Sequence, residues 1–228
     1  MTPYQYAANN PILFIDVNGD SIDVSKMSGK ELNVYQAQVS AFKEKSKLFN
    51  AMYSSLEGSK KIYAVQYGET TKREDGSMVD GQFVPNEDGG GTVTYLNTDI
   101  NAQAFTEELF HAYQNDNKAE YDKGDFNVEF EAKLISTAIG METGTGFFGI
   151  AGMENFQNKV GLGDYGKGNM QITPTSVNSA SFLNSYKSAA NAYSGYNKIN
   201  NIGNRHYKVS TTVPPYSLKT MVNKAYGK

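Results

Sequence analysis

Glu107, Glu108 and His111 fall within five consecutive residues, Glu107-Glu108-Leu109-Phe110-His111, and their types and spacing suit metal-assisted hydrolysis. On a helix, positions 107 and 111 are i and i+4, so they project from one face with Cβ atoms about 6 Å apart and both reach a single ion. The residue after the first ligand turns toward a water that the ion acidifies, which makes Glu108 the general base. A third protein ligand is still needed, and a glutamate from a second helix packed alongside would supply it. Glu129 and Glu131 open the next helical pattern. Residues two apart on a helix face roughly 200° away from each other, so only one points inward. Glu131 is favoured because Ala132 beside it is small enough for close helix packing, with Glu129 as the alternative. Zn2+ is the expected ion, with another divalent metal, or none, as alternatives; no organic cofactor is implied.

These side chains need elements to hold them. Thr92-Val93-Thr94-Tyr95-Leu96 is rich in β-formers, and Thr98, Asp99 and Asn101 are N-cap candidates for a helix that runs through Phe105, Leu109, Ala112 and Tyr113. The metal-site helix therefore follows a strand. Helical spacing resumes from Glu129 to Met141 and ends at glycines 140, 144 and 146.

Upstream, residues 12–24 are two β-leaning runs around Asn18-Gly19, a hairpin signal. Apolar residues from Leu32 to Leu56 recur at three- and four-residue steps, which predicts one long amphipathic helix over residues 30–56, closed by Gly58. Residues 62–67 read as a strand, and residues 70–91 as a polar loop ending in Gly89-Gly90-Gly91. Downstream lie a short candidate helix at 153–160, a helix at about 176–196, and a short helical ending after Pro214-Pro215.

Composition narrows the function classes. The 228 residues, 39% of them hydrophobic, are enough for a real core. A net charge of −3, with no basic run among aromatics, argues against nucleic acid as a partner. The absence of cysteine excludes thiolate metal sites, disulfides and cysteine nucleophiles. No stretch approaches the roughly 18 apolar residues of a membrane span, and the N-terminal residues have neither the basic nor the apolar region of a signal peptide, so the chain itself gives no address. The last third is rich in Tyr, Asn, Ser and Gly, the pattern of a polar shell or, as a rival, of cell-wall or glycan contact.

Thr106-Glu107-Glu108-Leu109-Phe110-His111-Ala112-Tyr113-Gln114, followed by Glu129-Phe130-Glu131-Ala132, resembles the His-Glu-x-x-His helix and downstream glutamate of zincin-type metallopeptidases found as C-terminal cassettes of bacterial RHS proteins. The likeness spans residues 90–142. It implies an α+β, zincin-like fold, with a small sheet packed on the active-site helix and on the long N-terminal amphipathic helix. It also implies Glu108 as base, His111 as ligand, and Glu131 or Glu129 completing the set. One departure stands out: Glu107 occupies the place of the first histidine, giving a harder, more anionic site.

The first 20 residues, Met1-Thr2-Pro3-Tyr4-Gln5-Tyr6 through Asn9-Asn10-Pro11-Ile12 to Asp20, are similar to the closing motif of the RHS repeat-associated core, after which an effector cassette begins. That likeness divides the chain into a lead-in over residues 1–24 and a zincin-like domain over residues 25–228 with a Tyr/Asn-rich extension. The function implied is a zinc peptidase-like effector or toxin domain, acting on a protein or peptide substrate. It would be exported or surface-associated, with an RHS shell or a cognate immunity protein as partner. The rival from another class is an inactive zincin-like binding module, for which the Glu107 departure is the direct argument. In that reading Glu107 and Glu108 are early-helix acids favoured by the helix dipole, and His111 is a packed histidine. His206, in Asn204-Arg205-His206-Tyr207, has no spacing that joins it to the helix and reads as a surface histidine.

Overall fold

A computed structural model describes residues 21–87, 89–117, 127–145, 172–199 and 215–227, and shows a mixed α+β protein. The described strands are β1 (Ile22–Asp23), β2 (Tyr63–Tyr67), β3 (Gly81–Pro85) and β4 (Gly91–Tyr95), which form one sheet in the order β1-β2-β4-β3. β1 and β2, and β2 and β4, pair in parallel; β3 is antiparallel to β4 and forms an edge among the described strands. Seven helices are described: α1 (Gly29–Lys45), α2 (Lys47–Glu57), α3 (Ala102–Asp116), α4 (Val128–Thr143), α5 (Pro174–Val177), α6 (Ala180–Ile199) and α7 (Tyr216–Ala225).

The apolar stripe expected to give one helix over residues 30–56 is divided at Ser46. This residue ends α1 and caps α2, its hydroxyl accepting from Phe49 N at 2.9 Å. Ser46 Oγ also donates to Glu142 at the end of α4, and Glu142 accepts from Leu48 N at 3.3 Å and from Tyr226 Oη at 3.2 Å. One carboxylate thus ties the break in the stripe to α4 and to the residue that ends α7. Both helices keep their apolar faces inward, with Leu32, Tyr35, Val39 and Phe42 from α1 and Leu48, Phe49, Met52 and Leu56 from α2 buried.

β3 lies in the stretch read as a polar loop. Its sequence, Gly-Gln-Phe-Val-Pro, has only two strongly apolar residues, and a Pro is tolerated there because the strand is at an edge. The turn from β3 to β4 explains the three glycines. Gly89 has a φ of +90°, and a Cβ on Gly90 would stand 2.1 Å from the carbonyl oxygen of Ile62. Asn115 of α3 holds this turn by donating to the carbonyls of Gly89 (2.8 Å) and Gly90 (3.1 Å).

An aromatic core joins sheet and helices. Phe105 of α3 packs against Tyr35, Phe42, Phe49 and Tyr95, all buried, and Tyr95 Oη donates to the carbonyl of Phe105 at 2.8 Å. This fixes where α3 begins relative to β4, and so where positions 107, 108 and 111 point. The hairpin expected at residues 12–24 falls mostly outside the described residues, though Ile22–Asp23 is a strand and pairs with β2. The candidate helix at 153–160 lies outside them as well. The helix expected at 176–196 is observed as α5 and α6, separated at Asn178-Ser179.

Candidate metal centre

Asn101 caps α3 by accepting from Ala104 N at 2.8 Å, while its amide donates to Asp80 just before β3 at 2.9 Å. At the far end Lys61 Nζ donates to the carbonyls of Asp116 (3.0 Å) and Asn115 (3.3 Å), a cation at the negative end of the helix dipole. Held at both ends, α3 lays its 107–111 face against α4. Glu107, His111 and Glu129 each place a ligand atom there, and these atoms all lie within 4.8 Å of one another.

Of the two glutamates expected to supply a third ligand, the alternative, Glu129, lies with Glu107 and His111, and the favoured one, Glu131, does not. Glu131 is fully buried on another face of α4, where Ser217 Oγ, Leu218 N (2.9 Å) and Tyr186 Oη (3.4 Å) all donate to it. It anchors the start of α7 and the middle of α6. Burial pushes its carboxyl up to about 7 although these donors favour the charged form.

His111 is oriented by Gln114, one helical turn on. Gln114 Nε2 donates to the carbonyl of Val128 (3.1 Å) and to Ser217 Oγ (3.3 Å), which leaves Gln114 Oε1 facing His111 Nδ1 at 2.9 Å. With both neighbours of the amide nitrogen able to accept, the oxygen meets the ring and Nδ1 carries the proton. His111 Nε2 is thereby turned to Glu129, 3.6 Å away. Burial disfavours the imidazolium, but the charges of Glu129, Glu108 and Glu107 outweigh it and lift the pKa to about 10.

Glu108 sits apart from the ligand group, at the boundary of α3 and β3. Burial raises its carboxyl to about 7; His111 opposes this, and Glu107 and Glu129 add to it. A carboxyl near neutrality can both take and return a proton. Gly81 of β3 makes room for it, since a Cβ there would be 2.8 Å from Glu108 Cγ and 3.3 Å from the Tyr95 ring. Gly81→Ala is therefore expected to displace Glu108 while leaving the fold intact. The stability loss should be about 1–2 kcal/mol by thermal unfolding.

Lys133, on α4 one turn after Glu129, donates to Glu107 Oε1 at 2.7 Å. Burial would lower its pKa, yet Glu107, Tyr193 and Glu129 more than offset that and raise it above the usual lysine value. Neither Lys133 nor Gln114 emerged from the sequence reading as functional, although Glu129 and Lys133 stand at i and i+4, as residues sharing a helix face do. The group opens on a cleft of about 680 Å³, lined among others by Arg73, Gly81, Gln82, Phe83 and Asn101. His206 lies outside the described residues.

The donor set is one imidazole nitrogen and two carboxylates, a combination that fits a divalent ion and does not by itself select zinc. No family model, curated protein or solved structure matches the chain.

Proposed function

We propose that this chain is a metal-dependent hydrolase of the peptidase type on a zincin-like fold, the effector cassette of an RHS-type protein. The observation that carries the reading is the convergence of Glu107, His111 and Glu129 on one point at the wall of a cleft that Glu108 also lines. Support also comes from order along the chain, in which a strand leads to the helix bearing Glu107, Glu108 and His111, and the next described helix brings the third carboxylate.

Glu107, His111 Nε2 and Glu129 would hold the ion. When bound, a divalent ion there would supply polarisation of a carbonyl and acidification of water. Glu108 takes the proton from the attacking water as the new carbon–oxygen bond forms, and returns it to the departing amine as the carbon–nitrogen bond breaks. The pKa near 7 serves both halves. Gln114 keeps Nε2, not Nδ1, directed at the ligand group. β3 ends the sheet among the described residues and lines the cleft, so its outer edge suits an extended peptide.

A second reading, an inactive binding module, is favoured by one observation: Lys133 with Glu107 and His111 with Glu129 form cross-helix ion pairs that balance charge without a metal. Tyr186 and Tyr193 of the tyrosine-rich tail are buried in the core and so offer no surface to the glycan-binding alternative. Among the described residues no helix is long and apolar enough to cross a membrane.

Equilibrium dialysis separates the first two readings. Protein purified without chelators and supplied with zinc is expected to retain one equivalent, and His111→Ala to retain none. Failure of the wild-type chain to retain zinc, manganese or cobalt would overturn the hydrolase reading in favour of the binding module.

A further inference from the structure

Glu107 stands where the resemblance expects an imidazole, and it brings a companion. Lys133 Nζ lies 2.7 Å from Glu107 Oε1, and the two side chains are only 22% and 11% exposed. The other oxygen, Oε2, faces Gln103 Nε2 at 3.5 Å. Both oxygens of this ligand therefore already have donors. The ammonium is not peripheral to the group: Glu129 is one turn away on α4, and His111 is one turn from Glu107 on α3.

Two cations on one carboxylate repel, and at low dielectric the repulsion is strong. A neutral imidazole at 107 would not attract an ammonium, whereas a carboxylate does. Glu107 and Lys133 thus form a partly buried ion pair. We propose that Lys133 is a built-in competitor for the metal, its ammonium occupying Glu107 until an ion displaces it. The inference rests on the metal-site reading above. It makes occupancy a switch: the ion-free protein is closed by its own lysine, and the site fills only when free metal is high enough to expel it.

The opposite role is physically reasonable, with Lys133 orienting Glu107 for the ion, and the two differ in sign. Removing a competitor tightens metal binding; removing an orienting group weakens it. Losing a partly buried, charge-assisted hydrogen bond from the ion-free state should tighten binding by about 10- to 100-fold.

Zinc and manganese binding would be measured by competition with a fluorescent chelator for the wild-type chain, Lys133→Gln, Lys133→Met and Lys133→Arg. The Gln and Met variants are expected to bind about 10- to 100-fold more tightly, and Arg no more tightly than wild type. Without metal, Gln and Met should unfold at lower temperature than wild type, and zinc should raise their unfolding temperature more. A purely structural lysine would reproduce the first of these effects but not the second. In the wild-type chain, which needs no variant to fold, the side-chain 15N resonance of Lys133 should shift on zinc saturation as the ammonium leaves Glu107. Equal or weaker affinity in the Gln and Met variants, or an unmoved ammonium resonance, would overturn the competitor role while leaving the metal site standing. Absence of binding in all four proteins would instead remove the metal site itself.

Discussion

Glu108→Gln is expected to reduce hydrolysis of a quenched-fluorescence peptide library by about 10²- to 10⁴-fold while the protein still retains one equivalent of metal. The separation follows from position. Glu107, His111 and Glu129 form the group that could hold an ion, whereas the Glu108 side chain packs beside Gly81 of β3. Gln at 108 is nearly the same shape, and a carboxyl whose burial already raises its pKa to about 7 loses little by becoming a neutral amide. The unfolding temperature should therefore stay close to wild type. Metal lost in step with activity would mean that Glu108 is a ligand, and the division of roles along α3 would be wrong.

The second large effect lies outside the ligand group. Glu131→Ala is expected to destabilise the protein by about 3 kcal/mol or more, because it leaves Leu218 N, Ser217 Oγ and Tyr186 Oη without their buried acceptor. α7 should loosen first, visible as faster amide exchange at Leu218 to Val222. The cost should also depend on pH. Glu131 titrates near 7 when folded, above its usual 4.5, so its contribution is fully present below about 4.5 and is lost as pH rises through about 7. The penalty for Glu131→Ala should shrink across that window. Metal stoichiometry, measured where the variant is still folded, should not change. A stable variant that has lost its metal would restore Glu131 to the ligand set.

The choice between Glu129 and Glu131 marks where sequence reasoning reached its limit. That only one of them points toward His111 follows from helix geometry, and the structure agrees. Which one depends on what covers the other faces of α4. Glu131 is claimed by Ser217 and Leu218, residues distant in the chain, and no local pattern announces that contact. The cue drawn from Ala132 was local, and it was overridden by tertiary packing. The break at Ser46 has the same origin, since the apolar stripe continues through it and the hydroxyl's partner, Glu142, is far along the chain.

Other features were legible because their causes are local. Asn101 caps α3 where the polar cluster before the apolar pattern placed the start of a helix. β2 and β4 carry the buried residues Tyr63, Val65, Val93 and Tyr95 that alternation along a strand demands. β3 was not legible, being short, poor in apolar residues and stabilised by pairing with β4 rather than by burial of its own side chains. Gln114 and Lys133 each carried a signal that went unused. One stands at i+3 from His111 and the other at i+4 from Glu129, spacings that place them beside the ligands on the same helix faces.

A metal ion held by Glu107, His111 and Glu129 is the central claim. Crystals of the wild-type chain soaked in zinc and measured at the zinc absorption edge should show one anomalous peak within about 2.0–2.2 Å of Glu107, His111 Nε2 and Glu129, with Lys133 withdrawn from Glu107 and no ligand from Glu131. No peak there, with Lys133 still on Glu107 at high zinc, would contradict it.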